Sequence, residues 1–506
     1  MPSNPPPWKR NVLYTRLDTA VKTVALVTLA LVALSPACAA NRPNVLVILA
    51  DDLNDWVGAL DTWPTARTPQ IDRLALEGAL FREAYAASPK CNPSRTAILL
   101  GLRPSTTGIY DNGHWWRPHL PDAVTLPEAF RLAGYTVAGA GKVFHHTAGF
   151  NPPDLWDEYF PLQFDDPWDR RGSAYPGIDP SSAPPGHPLA GVEPFRHELD
   201  WGALAIAEQE YGDVLSVARA EAFLHEARSR PFFLVVGLFH PHLPWYAPAP
   251  YFEQFPVEEV MLPIVPSDDL DDIPAEGRRL ADRGAEVFQL LRETGKWREA
   301  VAAYAANIAF ADGLVGRLVD ALDASAHADN TVVLFASDHG FHLGEKNHWY
   351  KSTLWERSTH VPLIVRGPGI EAGTICDRPV SLLDVYPTLL DLAGLPQRPE
   401  LEGTSLRGLL EDPRSEPARH AGMTYLEGNH AVRRGKWLYI RYRDGTEELY
   451  DRESDPAEHV NLASSDSLRA VKRTLRQLLP THDASPAPLK SAYRFDPAEY
   501  SWTRKD

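Results

Sequence analysis

Asn44-Val-Leu-Val-Ile-Leu-Ala50, followed at once by Asp51-Asp52, is the stretch that decides the fold. After Asn44 it is continuously apolar and rich in β-branched residues, the pattern of a strand buried on both faces. Such strands belong to parallel sheets with helices on either side. Two adjacent carboxylates just past a buried strand are costly unless they hold a cation or are well hydrogen-bonded. The carboxyl edge of an open α/β sheet is also where ligands sit. A pair of loop or N-cap aspartates is the competing reading.

Three further runs repeat the arrangement. Gly134-Tyr-Thr-Val-Ala-Gly-Ala-Gly-Lys142 leads to His145, and Pro231 to Phe239 leads to His240-Pro-His242. Thr331 to Ser337 ends in Asp338-His339. One mostly parallel sheet would bring these ends to one edge, whereas chance would scatter them. Asp51, Asp52, Asp338 and His339 then form a candidate divalent-cation site. Carboxylate oxygens suit calcium or magnesium, while an imidazole is more at home on transition metals.

Cys91-Asn-Pro-Ser-Arg95-Thr-Ala-Ile-Leu-Leu100-Gly101 is the nucleophile candidate. Pro93 suits a helix start because its missing N–H is one of the unsatisfied donors there. The spacing predicts a helix from Pro93 to Leu100 with Cys91 just before it, where free amides and the dipole stabilise an anion. Arg95, one turn in, would point back to the same spot. The competing reading of Cys91 is a buried small residue or one half of a bridge to Cys376.

Composition narrows the class. The 506 residues suit one large domain and a smaller one, and a formal net charge of -17 argues against a nucleic-acid binder. Lys9, Arg10, Arg16 and Lys22 precede or begin an apolar run, Val24 to Leu34, and Ala37-Cys38-Ala39 is a small-residue cleavage pattern. Residues 1–39 therefore read as an export signal, giving a periplasmic or extracellular protein with no membrane span in the mature chain. Lipoprotein anchoring at Cys38 is the weaker alternative. Residues 40–428 read as the catalytic domain and 429–506 as a small α+β subdomain with an antiparallel sheet, from the alternating aromatic runs Lys436-Trp-Leu-Tyr-Ile-Arg-Tyr442 and Glu447-Glu-Leu-Tyr-Asp451. Thr68-Pro69 should open a helix to Gly78, Trp297 to Asp323 a long one, and Asp466 to Leu479 a last one. The segment from Asn151 to Pro194, dense in Pro and Gly, reads as irregular surface structure. Asp111, Trp115, Trp116, Arg117 and His240 are candidate substrate contacts. The two tryptophans either stack on a sugar or fill core.

The Cys-x-Pro-x-Arg run, together with Asp51-Asp52, Lys142, His145, His242, Asp338-His339, Lys351 and the landmarks around His360 and Val380, resembles the type I sulfatases of the alkaline phosphatase superfamily. It is most similar to the iduronate-2-sulfatase-like branch. The resemblance implies an α/β fold with a large mixed, mostly parallel sheet sandwiched by helices. It implies conversion of Cys91 to formylglycine by a formylglycine-generating enzyme, and a calcium ion (or magnesium or another divalent cation) on Asp51, Asp52, Cys91, Asp338 and His339. Arg95, Lys142 and Lys351 would hold the sulfate, His145 would act as a base near the nucleophile, and His242 would protonate the leaving group. His240 stands where the family often has lysine. The substrate expected is a sulfated carbohydrate, as in glycosaminoglycan degradation. The alternatives are a phosphodiesterase or phosphonate monoester hydrolase of the same superfamily and a non-catalytic glycan-binding relative. A serine hydrolase using Ser94 lacks the G-x-S-x-G elbow.

Overall fold

The computed structural model describes residues 42–145, 149–161, 190–191, 199–416 and 418–505. The export signal, Cys38, His146 and most of the Asn151–Pro194 segment lie outside the described residues. A nine-stranded sheet forms the centre. Its strands are β1 (Asn44–Ala50), β2 (Ala79–Tyr85), β3 (Thr136–Gly141), β4 (Glu158–Pro161), β5 (Phe232–Gly237), β6 (Thr331–Ser337), β7 (His360–Arg366), β8 (Thr374–Cys376) and β9 (Val380–Ser381). The order is β8-β2-β7-β6-β1-β5-β3-β4, with β9 also paired to β2.

Every pairing is parallel except those of β7, which runs antiparallel to β2 and to β6. The register of β7 on β2 shifts between Val361 and Leu363. Pro362 sits at that shift, where its lack of an N–H removes a ladder bond. β4 corrects the irregular reading of its segment: Glu158–Pro161 is an edge strand parallel to β3.

β1 is buried along its whole length, as its apolar run requires. Leu46, Ile48 and Ala50 enter one core and Val45, Val47 and Leu49 another, the period-two alternation of a strand covered on both faces. The first core is shared with α1 (Pro69–Glu77), α4 (Gly212–His225) and the long helix α5 (Trp297–Asp323). The second is shared with α2 (Cys91–Leu100), α3 (Leu126–Leu132) and α6 (Val385–Leu392). Thr68 does not cap α1 with its side chain. Asp312 of α5 does so instead, accepting from the amides of Gln70 (3.0 Å) and Ile71 (2.8 Å).

Beyond this body lies a four-stranded antiparallel sheet of β10 (Ala421–Thr424), β11 (His430–Arg434), β12 (Trp437–Arg441) and β13 (Glu447–Asp451). One face carries α7 (Arg469–Arg476) through Val432, Tyr439, Leu449 and Leu475. The other packs Leu438, Ile440 and Tyr450 against Tyr85, Ile273 and Trp355 of the larger body. No helix among the described residues is long and apolar enough to cross a membrane.

Candidate active site

The four central strands, β6, β1, β5 and β3, are neighbours in the sheet and end on the same edge. β1 delivers Asp51 and Asp52, β6 delivers Asp338 and His339, β3 delivers Lys142 and β5 leads to His242. α2 meets this edge with its N-terminus. Its first helical residue is Cys91 itself, so the helix begins two residues before the expected Pro93. All ten residues of α2 are buried, and it stops at Gly101 (φ 67), where a Cβ would lie 2.5 Å from Leu401.

Arg95 is fully buried and already spoken for. Its Nε donates to Asp338 Oδ2 (2.7 Å), and its other nitrogens donate to the carbonyls of Ala50 (3.1 Å), Val143 (3.2 Å) and Lys142. It therefore clamps the ends of β1, β3 and β6 together rather than reaching freely toward a ligand. Ser94 donates to the Asp338 carbonyl at 2.5 Å and is completely buried, which removes it as a nucleophile. Cys91 and Cys376 are both free thiols, so the bridge reading does not hold.

One ligand atom each from Asp51, Asp52, Cys91 and His339 lies within 4.8 Å of all the others. Ligands at 2.3–2.6 Å from one calcium lie no more than about 5 Å apart. Asp51 Oδ1 and Asp52 Oδ2 are buried without a hydrogen-bond partner, an expensive state that a cation would relieve. The donor set thus fits a divalent cation. Asp338 stands beside it, with Oδ1 accepting from the Asp52 amide (3.2 Å) and lying 3.7 Å from His339 Nε2. Asp52 has left-handed backbone (φ 64), held by Asp338 on its N–H and by the Tyr304 hydroxyl donating to its carbonyl at 2.7 Å. A strained residue so firmly braced is a mark of a functional position.

The thiol of Cys91 is crowded by polar groups. Lys351 Nζ lies 3.4 Å from Sγ and 2.5 Å from Asp52 Oδ1, and His339 Nε2 lies 3.4 Å from Sγ. Lys142 pairs with Asp51, and His145 hydrogen-bonds Cys91. Burial opposes ionisation of Cys91, but Lys142, Lys351 and His339 outweigh it and hold the thiol well below its usual range. Burial lowers His145 to about 4, so it is a neutral base. Burial raises Asp338 to about 7 against the pull of Arg95. Burial works against charge on His339, yet Asp338 and Cys91 raise it to about 9.

His242 is oriented by its own backbone. Nδ1 donates to the Leu243 carbonyl at 2.5 Å, leaving Nε2 on the side of Asp52 Oδ2, 3.8 Å away. Burial and Lys351 disfavour its charged form, but Asp52 and Asp51 prevail and raise its pKa.

Four expected substrate contacts are committed elsewhere. Trp115 packs against Tyr493 (6.1 Å), Phe495 (5.6 Å) and Trp502 (6.3 Å). Trp116 is fully buried, stacks on Phe144 at 4.8 Å and donates to the Phe150 carbonyl. Arg117 bonds Glu128 (2.6 Å) and the Ala123 carbonyl. His240 lies between Asp213 Oδ2 (2.6 Å) and the Tyr246 carbonyl (2.9 Å). Asp111 stays half-exposed beside the site, paired with Lys90, the residue before Cys91. His342 and His348 are buried braces, the latter bonding the Lys351 carbonyl at 2.9 Å.

Asp213 and Asn92 escape a sequence reading. Asp213, in the first turn of α4, accepts from the amides of Phe239 and His240 (both 2.9 Å) and so fixes the turn before His242. Asn92 donates to the carbonyls of Asp111 (2.9 Å) and His114 (2.8 Å), tying that loop to the nucleophile. No local pattern announces either, because each acts on backbone brought in from elsewhere in the chain.

This fold and this edge define a hydrolase of the alkaline phosphatase superfamily. The sequence model of the sulfatase family matches residues 43–395, and that of the N-sulphoglucosamine sulphohydrolase C-terminal region matches residues 344–484. The chain belongs to the sulfatase family, as a type I sulfatase and sulfuric ester hydrolase. It is 36% identical over 465 residues to a sulfatase of Formosa agariphila, covering 90% of each chain. It is 32% identical to the choline-sulfatase of Rhizobium meliloti (84% of this chain, 83% of the other) and 32% identical to human iduronate 2-sulfatase (70% and 69%). Among solved structures, the phosphonate monoester hydrolase of Agrobacterium radiobacter superposes with a TM-score of 0.71 at 24% identity, covering 86% of this chain and 94% of the other. A protein solved with its substrate D-glucosamine-2-N,6-O-disulfate superposes with 0.66 at 21% identity (86% and 96%). At these identities both likenesses speak for the fold alone.

Proposed function

We propose that the chain is an exported, formylglycine-dependent sulfatase that releases sulfate from a sulfated carbohydrate, in the manner of its iduronate 2-sulfatase relative. The observation that carries this reading is the gathering of Asp51, Asp52, Cys91 and His339 ligand atoms within 4.8 Å at the start of a helix. Oxidised by a formylglycine-generating enzyme and hydrated, Cys91 would supply a hydroxyl as nucleophile toward sulfur. A calcium or other divalent ion held by Asp51, Asp52, Asp338, His339 and the modified residue would supply Lewis-acid charge.

The remaining residues act by position and proton transfer. Lys351 and Lys142 sit as point charges where negative charge gathers on the sulfuryl oxygens. His242, its Nε2 turned to the site and its charged form favoured, gives its proton to the leaving sugar oxygen. His145, neutral and hydrogen-bonded to residue 91, takes the proton from the second hydroxyl as sulfate departs. Arg95 holds the strand ends in place.

Sulfate release by wild type and by Cys91→Ala, measured by ion chromatography on defined sulfated oligosaccharides, tests this reading. Release by wild type and none by the variant is expected; equal release would overturn it. A higher kcat/KM on a phosphonate monoester than on the matching sulfate ester would favour the phosphonate hydrolase alternative.

A further inference from the structure

The C-terminal segment after α7 returns to the active site. Residues 484–490 run beside residues 105–113, with the amides of Ala484, Ala487 and Lys490 donating to the carbonyls of Ser105 (2.7 Å), Gly108 (2.8 Å) and Gly113 (2.6 Å). Gly108 permits the contact: it has φ 72, and a Cβ there would lie 2.3 Å from the Ser485 carbonyl oxygen. Farther on, the hairpin Tyr493–Asp496/Ser501–Arg504 grips Trp115 between its aromatic side chains. Of the two readings of Trp115, stacking on a sugar or filling core, the structure gives the second: it is the anchor of this strap.

The strap delivers Lys490 to the loop that Asn92 ties to the nucleophile. The Lys490 ammonium lies 5.2 Å from the centre of the Phe150 ring, and that ring meets His145 edge-on at 5.0 Å. Lys490 is close enough for its charge to help depress His145. Among the described residues, Asp111 is the counter-charge acting on Lys490, and Asp111 is already paired with Lys90. Lys90 pairs with Asp111, whose charge also reaches Lys490, so two ammonium groups and one carboxylate gather on the loop next to Cys91.

We propose that Lys490, with Lys90 across Asp111, forms a subsite for a second anionic group of the substrate, so that the enzyme prefers sulfated sugars bearing a carboxylate or a further sulfate. This deepens the sulfatase reading and rests on it. Lys490 lies beyond residue 484, where the C-terminal family match ends.

The test uses hydrolysis of 4-nitrophenyl sulfate as reporter and three competing disaccharides. One is a 2-O-sulfated uronic acid joined to N-sulfoglucosamine, the second its carboxyl-reduced form, and the third its N-acetyl form lacking the second sulfate. In wild type, removal of the recognised anion should raise Ki about tenfold, the worth of one charge-assisted hydrogen bond. Whichever removal does so identifies the anion. Lys490→Gln should abolish that difference and Lys490→Arg should keep it. Equal Ki values for all three in wild type, or a difference that survives Lys490→Gln, would overturn the subsite while leaving the sulfatase reading standing. A wild-type enzyme that hydrolyses neither the reporter nor any disaccharide would contradict the sulfatase reading, and the subsite with it.

Discussion

His242 and Arg95 differ in how a single side chain serves the site. His242 presents one nitrogen to the pocket, and as the proposed acid its proton would matter in proportion to how poor the leaving group is. His242→Ala should lose about a hundredfold or more in kcat on a sulfated sugar, the usual contribution of a positioned acid, and far less on an aryl sulfate. Steady-state rates on the two substrates check this; equal losses would remove His242 from the proton transfer. Arg95 is spent on structure, with a buried carboxylate and three strand-end carbonyls as partners. Removing it leaves Asp338 without its cation and the carbonyls without donors. Arg95→Ala should destabilise the fold by about 3–5 kcal/mol, the cost of breaking a buried pair. Chemical denaturation should show that loss together with lost activity; activity lost at full stability would assign Arg95 to the chemistry instead.

At the scale of elements, what could be read from the sequence follows from locality. β1, β3, β5 and β6 were legible because a strand buried on both faces is a continuous apolar run, and the charged residues after each run mark the edge where they meet. The helix Trp297–Asp323 was legible from its own periodicity, and the structure gives the same bounds. Trp115 and Trp116 were not, since a tryptophan on a sugar and a tryptophan in a core look alike until the hairpin at Tyr493 is in place. The edge strand Glu158–Pro161 was hidden by the prolines and acidic residues around it, and Lys490 by its distance along the chain from the loop it reaches. The cap of α1 is a further case, because Asp312 comes from another helix. Asp312→Ala strands two helix-terminal amides and should cost about 1–3 kcal/mol in denaturant unfolding. No change would mean that water replaces the carboxylate.

Across the whole molecule, a buried charged network couples the main sheet to the C-terminal sheet. His360 at the start of β7 lies between Asp55 Oδ2 (3.3 Å), Glu356 Oε1 (3.8 Å) and the Arg82 carbonyl (2.6 Å), and Arg452 of the C-terminal part meets Glu356 at 3.1 Å. Burial opposes charge on His360, but Asp55 and Glu356 raise it to about 9. A raised histidine contributes stability that is fully present below its unfolded value near 6.5 and lost as pH climbs through about 9. Unfolding free energies of wild type, from denaturant titrations, should therefore fall over that interval by on the order of 2–3 kcal/mol more than those of His360→Gln. Parallel pH profiles would show that the imidazolium does not join the two parts.

The central claim is that residue 91 performs the chemistry only after modification. Mass spectrometry of the peptide containing Cys91, taken from enzyme that is turning over a sulfate ester, tests it most directly. The mass of formylglycine at position 91, in a fraction that rises and falls with specific activity, is expected. An unmodified Cys91 thiol throughout a fully active preparation would contradict it.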